Sequence, residues 1–265
     1  MLWRCWRGSI AMGLASWLIR GREPATTASV VAVDETQASL PDADRERRSL
    51  LGLAGWGFVL GSALFALGVP LSVLPGVPPT VAGWTYFVGS VFFTGAAFAQ
   101  LKVSRLQLPM AEPAATAPRS WLSGLMRPRT ADWSASALQF LGTLLFNVST
   151  FRSAADAAGQ DTSYDLIWRP DLAGSILFLV SSAMAFAPEV RRRRHGHVRD
   201  RSWSIGALNF VGSVFFGLSA VGAYLVPSTN ELLNVSWSNG GTLLGALCFL
   251  LGAALLIPRR TDRSH

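Results

Sequence analysis

Long apolar stretches alternate with short polar ones along most of this chain. Six stretches have about the length that a helix needs to cross a membrane, roughly 20 mostly apolar residues. They cover residues 51–70, 81–101, 133–151, 171–188, 203–226 and 237–257. Proline lacks the backbone N–H that a helix interior uses, so four helices are predicted to end at Pro70, Pro188, Pro227 and Pro258. The pattern therefore predicts an all-α fold, a polytopic membrane bundle of six transmembrane helices.

The distribution of charge supports this interpretation. Only 15% of the 265 residues are charged, against about 25% in a soluble domain. No Asp, Glu, Lys or Arg lies between Arg48 and Lys102, a run too long for a surface that faces water. Six tryptophans near the helix starts fit the membrane interface, where indole rings are enriched: Trp56, Trp84, Trp133, Trp168, Trp203 and Trp237.

The basic residues predict an orientation. Of the 23 Lys and Arg residues, only Arg152 and Arg169 fall in the first, third and fifth connections. Basic residues near helix ends stay in the cytoplasm, so both termini are predicted there. The domains are then a cytoplasmic N-terminal segment (1–48), a transmembrane domain (49–258) and a cytoplasmic tail (259–265). Arg191–Arg194 is interpreted as an anchor that attracts anionic lipid headgroups rather than nucleic acid.

The N-terminal segment is open to three interpretations. We favour an uncleaved interfacial helix followed by a flexible polar linker. A signal peptide, or a true start at Met12, is the alternative. A further short surface helix is predicted at residues 121–126.

A short motif recurs in every predicted helix: glycine, a small residue, and phenylalanine four positions after the glycine. Its members are Gly61, Ser62, Phe65; Gly89, Ser90, Phe93; Gly142, Thr143, Phe146; Gly174, Ser175, Phe178; Gly212, Ser213, Phe216; and Gly245, Ala246, Phe249. Residues 87–93 and 210–216 are the same heptapeptide, FVGSVFF. The spacing predicts one helical hairpin repeated three times around a pseudo-threefold axis along the membrane normal.

Packing is the favoured reason for the motif. Lipid gives helices no hydrophobic reason to associate, so close backbone approach at glycine has to provide the attraction. Gly57 with Gly61, and Gly241 with Gly245, complete GxxxG pairs. The alternative is that the six motifs line a central pathway.

The stretches FVGSVFFTGAAFAQ (87–100), IWRPDLAGSILFLVSS (167–182) and LNFVGSVFFGLSAVGAYLVP (208–227) resemble the YrhK-like membrane proteins of bacteria. The resemblance covers most of residues 51–257 and none of the first 48. It implies repeated helical hairpins in a bacterial plasma membrane, and it carries over no catalytic residue, metal or cofactor.

The residues offer little catalytic chemistry. The helix centres hold no ionisable residue, and His195, His197 and His265 lie in loop or tail. Asp171 is expected to stabilise a helix N-terminus; an ion site with Asp165 is the alternative. The candidate polar lining is Gln139, Asn147 and Asn209, where Gln139 and Asn209 occupy equivalent repeat positions.

The sequence therefore predicts a non-enzymatic structural or interaction bundle, with a channel or facilitator for a small neutral solute as the alternative. It requires no cofactor, metal or nucleic acid. It specifies no protein partner, and it is compatible with a homo-oligomer.

Overall fold

A computed structural model describes residues 27–106, 131–194 and 200–257. The chain divides into two units, Met1–Asp44 and Arg45–His265, and the second contains the helical bundle. Several predictions fall outside the described residues. These are the interfacial helix with its alternatives, the short helix at 121–126, and the environments of His195, His197 and His265.

Six α-helices make up nearly all of the described chain, so the predicted all-α fold is confirmed. They are α1 (Thr27–Val73), α2 (Pro79–Leu106), α3 (Ala131–Ala157), α4 (Asp165–Arg194), α5 (Arg201–Gly222) and α6 (Val235–Leu256). Helix α1 begins within the segment that the sequence assigned to a flexible linker. Two short antiparallel strands, β1 (Leu225–Val226) and β2 (Glu231–Leu232), connect α5 to α6.

Five of these helices are long and apolar enough to cross a membrane: residues Asp44–Val73 of α1, then α2, residues Asp165–Arg192 of α4, α5 and α6. Helix α3 has the length but falls short in hydropathy. Its polar residues Gln139, Asn147, Ser149 and Thr150 lower the average. These five apolar helices are compatible with an integral membrane protein.

Two proline stops predicted from the sequence are wrong. Helix α1 continues past Pro70 to Val73 and α4 continues past Pro188 to Arg194, with Pro170 also inside α4. One proline removes only its own backbone hydrogen bond, and packed helices tolerate that loss. Because α4 begins at Asp165, Asp171 does not lie in the first turn as expected.

The fifth helix is shorter than its apolar window. It ends at Gly222, and residues of the window up to Val226 form a turn and strand β1. Asn230 has a φ of +55°, a left-handed conformation that asparagine tolerates better than most residues. The side chain of Asn234 then accepts a hydrogen bond from the Trp237 backbone N–H at 2.9 Å and so caps the start of α6.

Consecutive helices of the bundle pack as antiparallel neighbours. The contacts join α2 to α3, α3 to α4, α4 to α5 and α5 to α6, and glycines of α1 lie against α2. A Cβ on Gly55 of α1 would lie 3.1 Å from Ile257, so α1 also approaches the end of α6. We call the end where α2, α4 and α6 finish the cavity end, and the opposite end the hairpin end.

The surface and the interior of the bundle differ in residue size. Large apolar side chains such as Leu53, Leu141, Val180 and Leu251 are exposed on its outside. Buried positions hold mainly alanine, serine and the motif phenylalanines. An apolar exterior around an interior of small residues is typical of helices that pack in lipid.

Candidate functional site

The motif glycines and phenylalanines contact each other reciprocally within each hairpin. In the first, a Cβ on Gly61 would lie 2.8 Å from the Phe93 ring and one on Gly89 would lie 2.9 Å from the Phe65 ring. The same exchange joins Gly142 to Phe178 and Gly174 to Phe146, and joins Gly212 to Phe249 and Gly245 to Phe216. Each glycine thus makes the groove that the partner helix's phenylalanine fills.

The six motif phenylalanines meet inside the bundle in two layers, which we call the phenylalanine plug. Phe65, Phe146 and Phe216 form a triangle with ring centroids 5.8–6.4 Å apart. In the second layer, Phe249 lies 6.0 Å from Phe93 and 6.1 Å from Phe178. A void of about 10 Å³ remains between the layers, about the space that one water needs.

The small residue after each motif glycine is fully buried: Ser62, Ser90, Thr143, Ser175, Ser213 and Ala246 are all at most 1% exposed. Ser90 Oγ lies 2.9 Å from Thr150 Oγ1, and Ser175 Oγ donates to the Phe216 carbonyl at 3.4 Å. These hydroxyls connect one hairpin to the next. Ser62 Oγ is buried without a partner among the described residues.

A cavity of about 80 Å³ lies inside the bundle, near the cavity end. Its inner end is formed by the second layer of the phenylalanine plug, which consists of Phe93, Phe178 and Phe249 from α2, α4 and α6. Its walls come from all six helices. The phenylalanine plug thus lies between the cavity and the hairpin end.

The wall residues occupy equivalent positions in the three hairpins. One set lies three residues before the motif glycine of the odd helices: Phe58, Gln139 and Asn209. The other lies eleven residues after the glycine of the even helices: Gln100, Ala185 and Leu256. Each set contains both amide and apolar side chains. The three hairpins therefore contribute equivalent positions to the cavity wall, but only some of these positions carry a hydrogen-bonding group.

The three amides lack hydrogen-bond partners. Within the described part of the chain, the side chains of Gln100, Gln139 and Asn209 are half-buried and make no hydrogen bond. Because these side chains are only partly buried, water or a bound molecule in the cavity can supply their hydrogen bonds.

Asn147, the third predicted lining residue, does not lie with the other two. Its Nδ2 donates to Thr94 Oγ1 at 2.9 Å, so it joins α3 to α2, while its Oδ1 has no partner among the described residues. Asn147 therefore lies at a contact between two helices, whereas Gln139 and Asn209 line the cavity.

Aromatic side chains join the second and third hairpins at the hairpin end. Tyr164 Oη donates to the Ala223 carbonyl at 2.6 Å and Trp168 Nε1 to the Ala220 carbonyl at 2.9 Å. Burial, and less strongly the negative charge of Asp171, raises the pKa of Tyr164. Of the two carboxylates of the alternative ion site, Asp165 forms an exposed ion pair with Arg169 at 2.8 Å, whereas Asp171 is half-buried.

Gln100 and Phe58 are among the cavity residues that were not predicted from the sequence. Their spacing from the motif glycines could have indicated them. Gln100 follows its motif glycine by the same number of residues as Ala185 does in the second hairpin, and Phe58 precedes its motif glycine by the same number as Gln139 does. Extending the repeat register beyond the motif would have found them.

Comparison of the chain with protein-family models, with curated proteins and with solved structures found no match.

Proposed function

We propose that this chain is a non-enzymatic integral membrane protein whose bundle is a structural or interaction scaffold, closed along its axis. The phenylalanine plug is the observation that carries this proposal. Ring centroids 5.0–6.4 Å apart place these side chains in contact with each other between the cavity and the hairpin end. The absence of ionisable residues from the helix centres in the sequence further favours a role without catalysis.

The proposal includes six spanning helices, with α3 as the sixth. Two observations support α3. Its polar side chains face neighbours, since Asn147 and Thr150 bond to Thr94 and Ser90 of α2. Its outward residues Leu141, Leu144, Val148 and Phe151 are apolar and exposed. The bilayer would therefore meet an apolar face despite the low average hydropathy.

The proposal also treats the three hairpins as repeats about a pseudo-threefold axis, in line with a YrhK-like relationship. The triangle of Phe65, Phe146 and Phe216 supports this interpretation. In a chain without its native cysteines, cysteine pairs at these three positions should all cross-link with a short bifunctional reagent. If any one of the three pairs failed to react, the threefold arrangement would lose its basis.

The basic residues support an orientation with both termini in the cytoplasm of a bacterial cell and anionic headgroups as the lipid partners. The cavity then opens towards the cytoplasm. A C-terminal reporter that fluoresces only in the cytoplasm should be bright, and a dark fusion of normal abundance would reverse the orientation.

A facilitator for a small neutral solute is the second candidate function. The cavity with its unpartnered amides favours it, because a packing scaffold has no need of such groups. Passage would require the plug to move, so the two candidates differ in whether solute crosses the membrane.

Solute flux separates the two candidates. Proteoliposomes that contain the full chain should shrink in hyperosmotic acetamide or glycerol no differently from empty liposomes, while a reconstituted glycerol channel re-equilibrates quickly. Phe93→Ala should introduce a leak. Phe92→Ala is the matched control, because that neighbouring side chain is 39% exposed on the bundle surface and should leave the membrane tight.

Rapid flux through the unaltered protein would refute the closed scaffold and favour the facilitator. The Phe93→Ala result is interpreted only if its gel-filtration profile matches that of the unaltered chain.

A further inference from the structure

The amides of the cavity are not explained by packing. Gln139, Asn209 and Phe58 hold the same position in the three hairpins, and the first hairpin fills that position with an apolar ring. The fold of the bundle therefore tolerates an apolar side chain at this position of the hairpin. Two hairpins carry an amide there instead, and Gln100 adds a third amide from α2.

The cavity favours an uncharged ligand. No Asp, Glu, Lys, Arg or His is among the described residues that line it. A charged ligand would lose its hydration without an opposite charge in return. A side-chain amide, by contrast, offers both a carbonyl acceptor and N–H donors, so the three amides suit a molecule that both donates and accepts hydrogen bonds.

The volume limits the ligand to a few heavy atoms. A cavity of about 150 Å³ holds benzene, so a cavity of about 80 Å³ suits a molecule of roughly three to four heavy atoms. Phenylalanine rings at the inner end, Phe93, Phe178 and Phe249, provide an apolar surface for its remaining atoms.

We propose that the cavity is a binding site for a small uncharged molecule of the carboxamide or urea class, held by Gln100, Gln139 and Asn209. The amide side of the ligand pairs with these side chains and its apolar side rests on the phenylalanine rings. Binding does not depend on the closed axis of the proposed function. A ligand can occupy the cavity whether or not it passes the plug, so flux and binding are separate measurements.

Three probes of nearly the same shape test the chemistry. Acetamide donates and accepts hydrogen bonds, acetone only accepts them, and acetate is charged. The full chain in nanodiscs of neutral lipid is titrated with each probe, and saturation-transfer NMR of the probe methyl group reports binding, with empty nanodiscs as the blank. We expect saturable binding of acetamide and at least about fivefold weaker binding of acetone and acetate.

Variants then locate the probe. Gln139→Leu and Asn209→Leu should each weaken acetamide binding about fivefold or more, since each removes hydrogen bonds to the ligand. Asn147→Leu is the matched control, because it removes an amide of the same bundle that lies outside the cavity, and it should bind acetamide as the unaltered chain does.

Several outcomes would overturn the proposal. Acetamide that gives no saturable signal above empty nanodiscs would do so, as would equal binding of acetone, which would make the cavity merely apolar. Folded Gln139→Leu and Asn209→Leu proteins with unchanged affinity would place the probe elsewhere. If either variant fails to fold, the comparison of the three probes on the unaltered chain still decides the question.

Discussion

Two adjacent glycines of α6 have opposite surroundings and allow the role of close helix approach to be measured. A Cβ on Gly241 would lie 2.6 Å from the Phe215 carbonyl oxygen and 2.8 Å from the Ser219 backbone nitrogen. A Cβ on Gly240 would meet nothing within 4 Å. The obstacles at Gly241 are backbone atoms of α5, which cannot rotate away as a side chain can. Gly241→Ala must therefore move α5 and α6 apart.

The cost of that movement follows from the contacts it disturbs. Overpacking a well-packed interior costs about 1–3 kcal/mol. Ser219 Oγ also donates to the Ser238 carbonyl and lies 2.7 Å from Thr242 Oγ1, and such bonds between membrane helices average about 0.6 kcal/mol each. Gly241→Ala should thus lower the free energy of unfolding by about 2–4 kcal/mol. Gly240→Ala should raise it by up to about 1 kcal/mol, because alanine has the higher helix propensity.

Unfolding by SDS in mixed micelles, followed by tryptophan fluorescence and circular dichroism, measures both variants against the unaltered protein. A substitution that disturbs no packing contact usually changes the free energy of unfolding by at most about 0.5 kcal/mol. If the free energies of unfolding of the two alanine variants agree within that margin, close backbone approach at Gly241 does not hold α5 and α6 together, and the packing interpretation of the GxxxG pair Gly241–Gly245 fails.

Two further predictions concern hydroxyl groups. Ser62→Ala should leave the free energy of unfolding unchanged or raise it, because the Ser62 hydroxyl is buried without a partner among the described residues. Ser90→Ala should lower it by about 0.5–1.5 kcal/mol through loss of the contact with Thr150. If SDS unfolding showed Ser62→Ala to be the less stable of the two variants, both predictions would be contradicted. Folding favours the neutral phenol of Tyr164, whose pKa is raised above its usual value of 10.0, so its stabilisation is complete below pH 10 and is lost as the pH rises through the folded-state pKa. The stability advantage of the unaltered chain over Tyr164→Phe should therefore shrink above pH 10 in unfolding measurements, and a difference independent of pH would refute this interpretation.

Helix type and approximate position could be predicted from the sequence because both depend on local physics. An apolar run of spanning length has few alternatives in lipid, where backbone groups must bond within their own segment. Helix ends were less predictable. Pro70 and Pro188 did not end helices because packing against neighbours outweighs one lost hydrogen bond, and α5 stopped at Gly222, before the end of its apolar window.

The candidate site was predictable only in part. The repeat placed Gln139 and Asn209 in equivalent positions, and the structure has both in the wall of one cavity. Asn147 has the same chemistry and lies on the same helix as Gln139, yet it bonds to Thr94. Which amide faces a neighbour and which faces the axis depends on how the helices are rotated against each other.

The sequence by itself determined that this chain forms long apolar helices and that glycine and phenylalanine recur in them in fixed register, although it predicted six spanning helices where five are long and apolar enough. Those properties follow from residue order and solvent. Only the tertiary structure decided that the six motif phenylalanines meet in two layers, that a cavity remains beside them, and that Gln100 joins Gln139 and Asn209 in its wall. The physical reason is that these features join residues far apart in the chain, and their contacts exist only once the helices have packed.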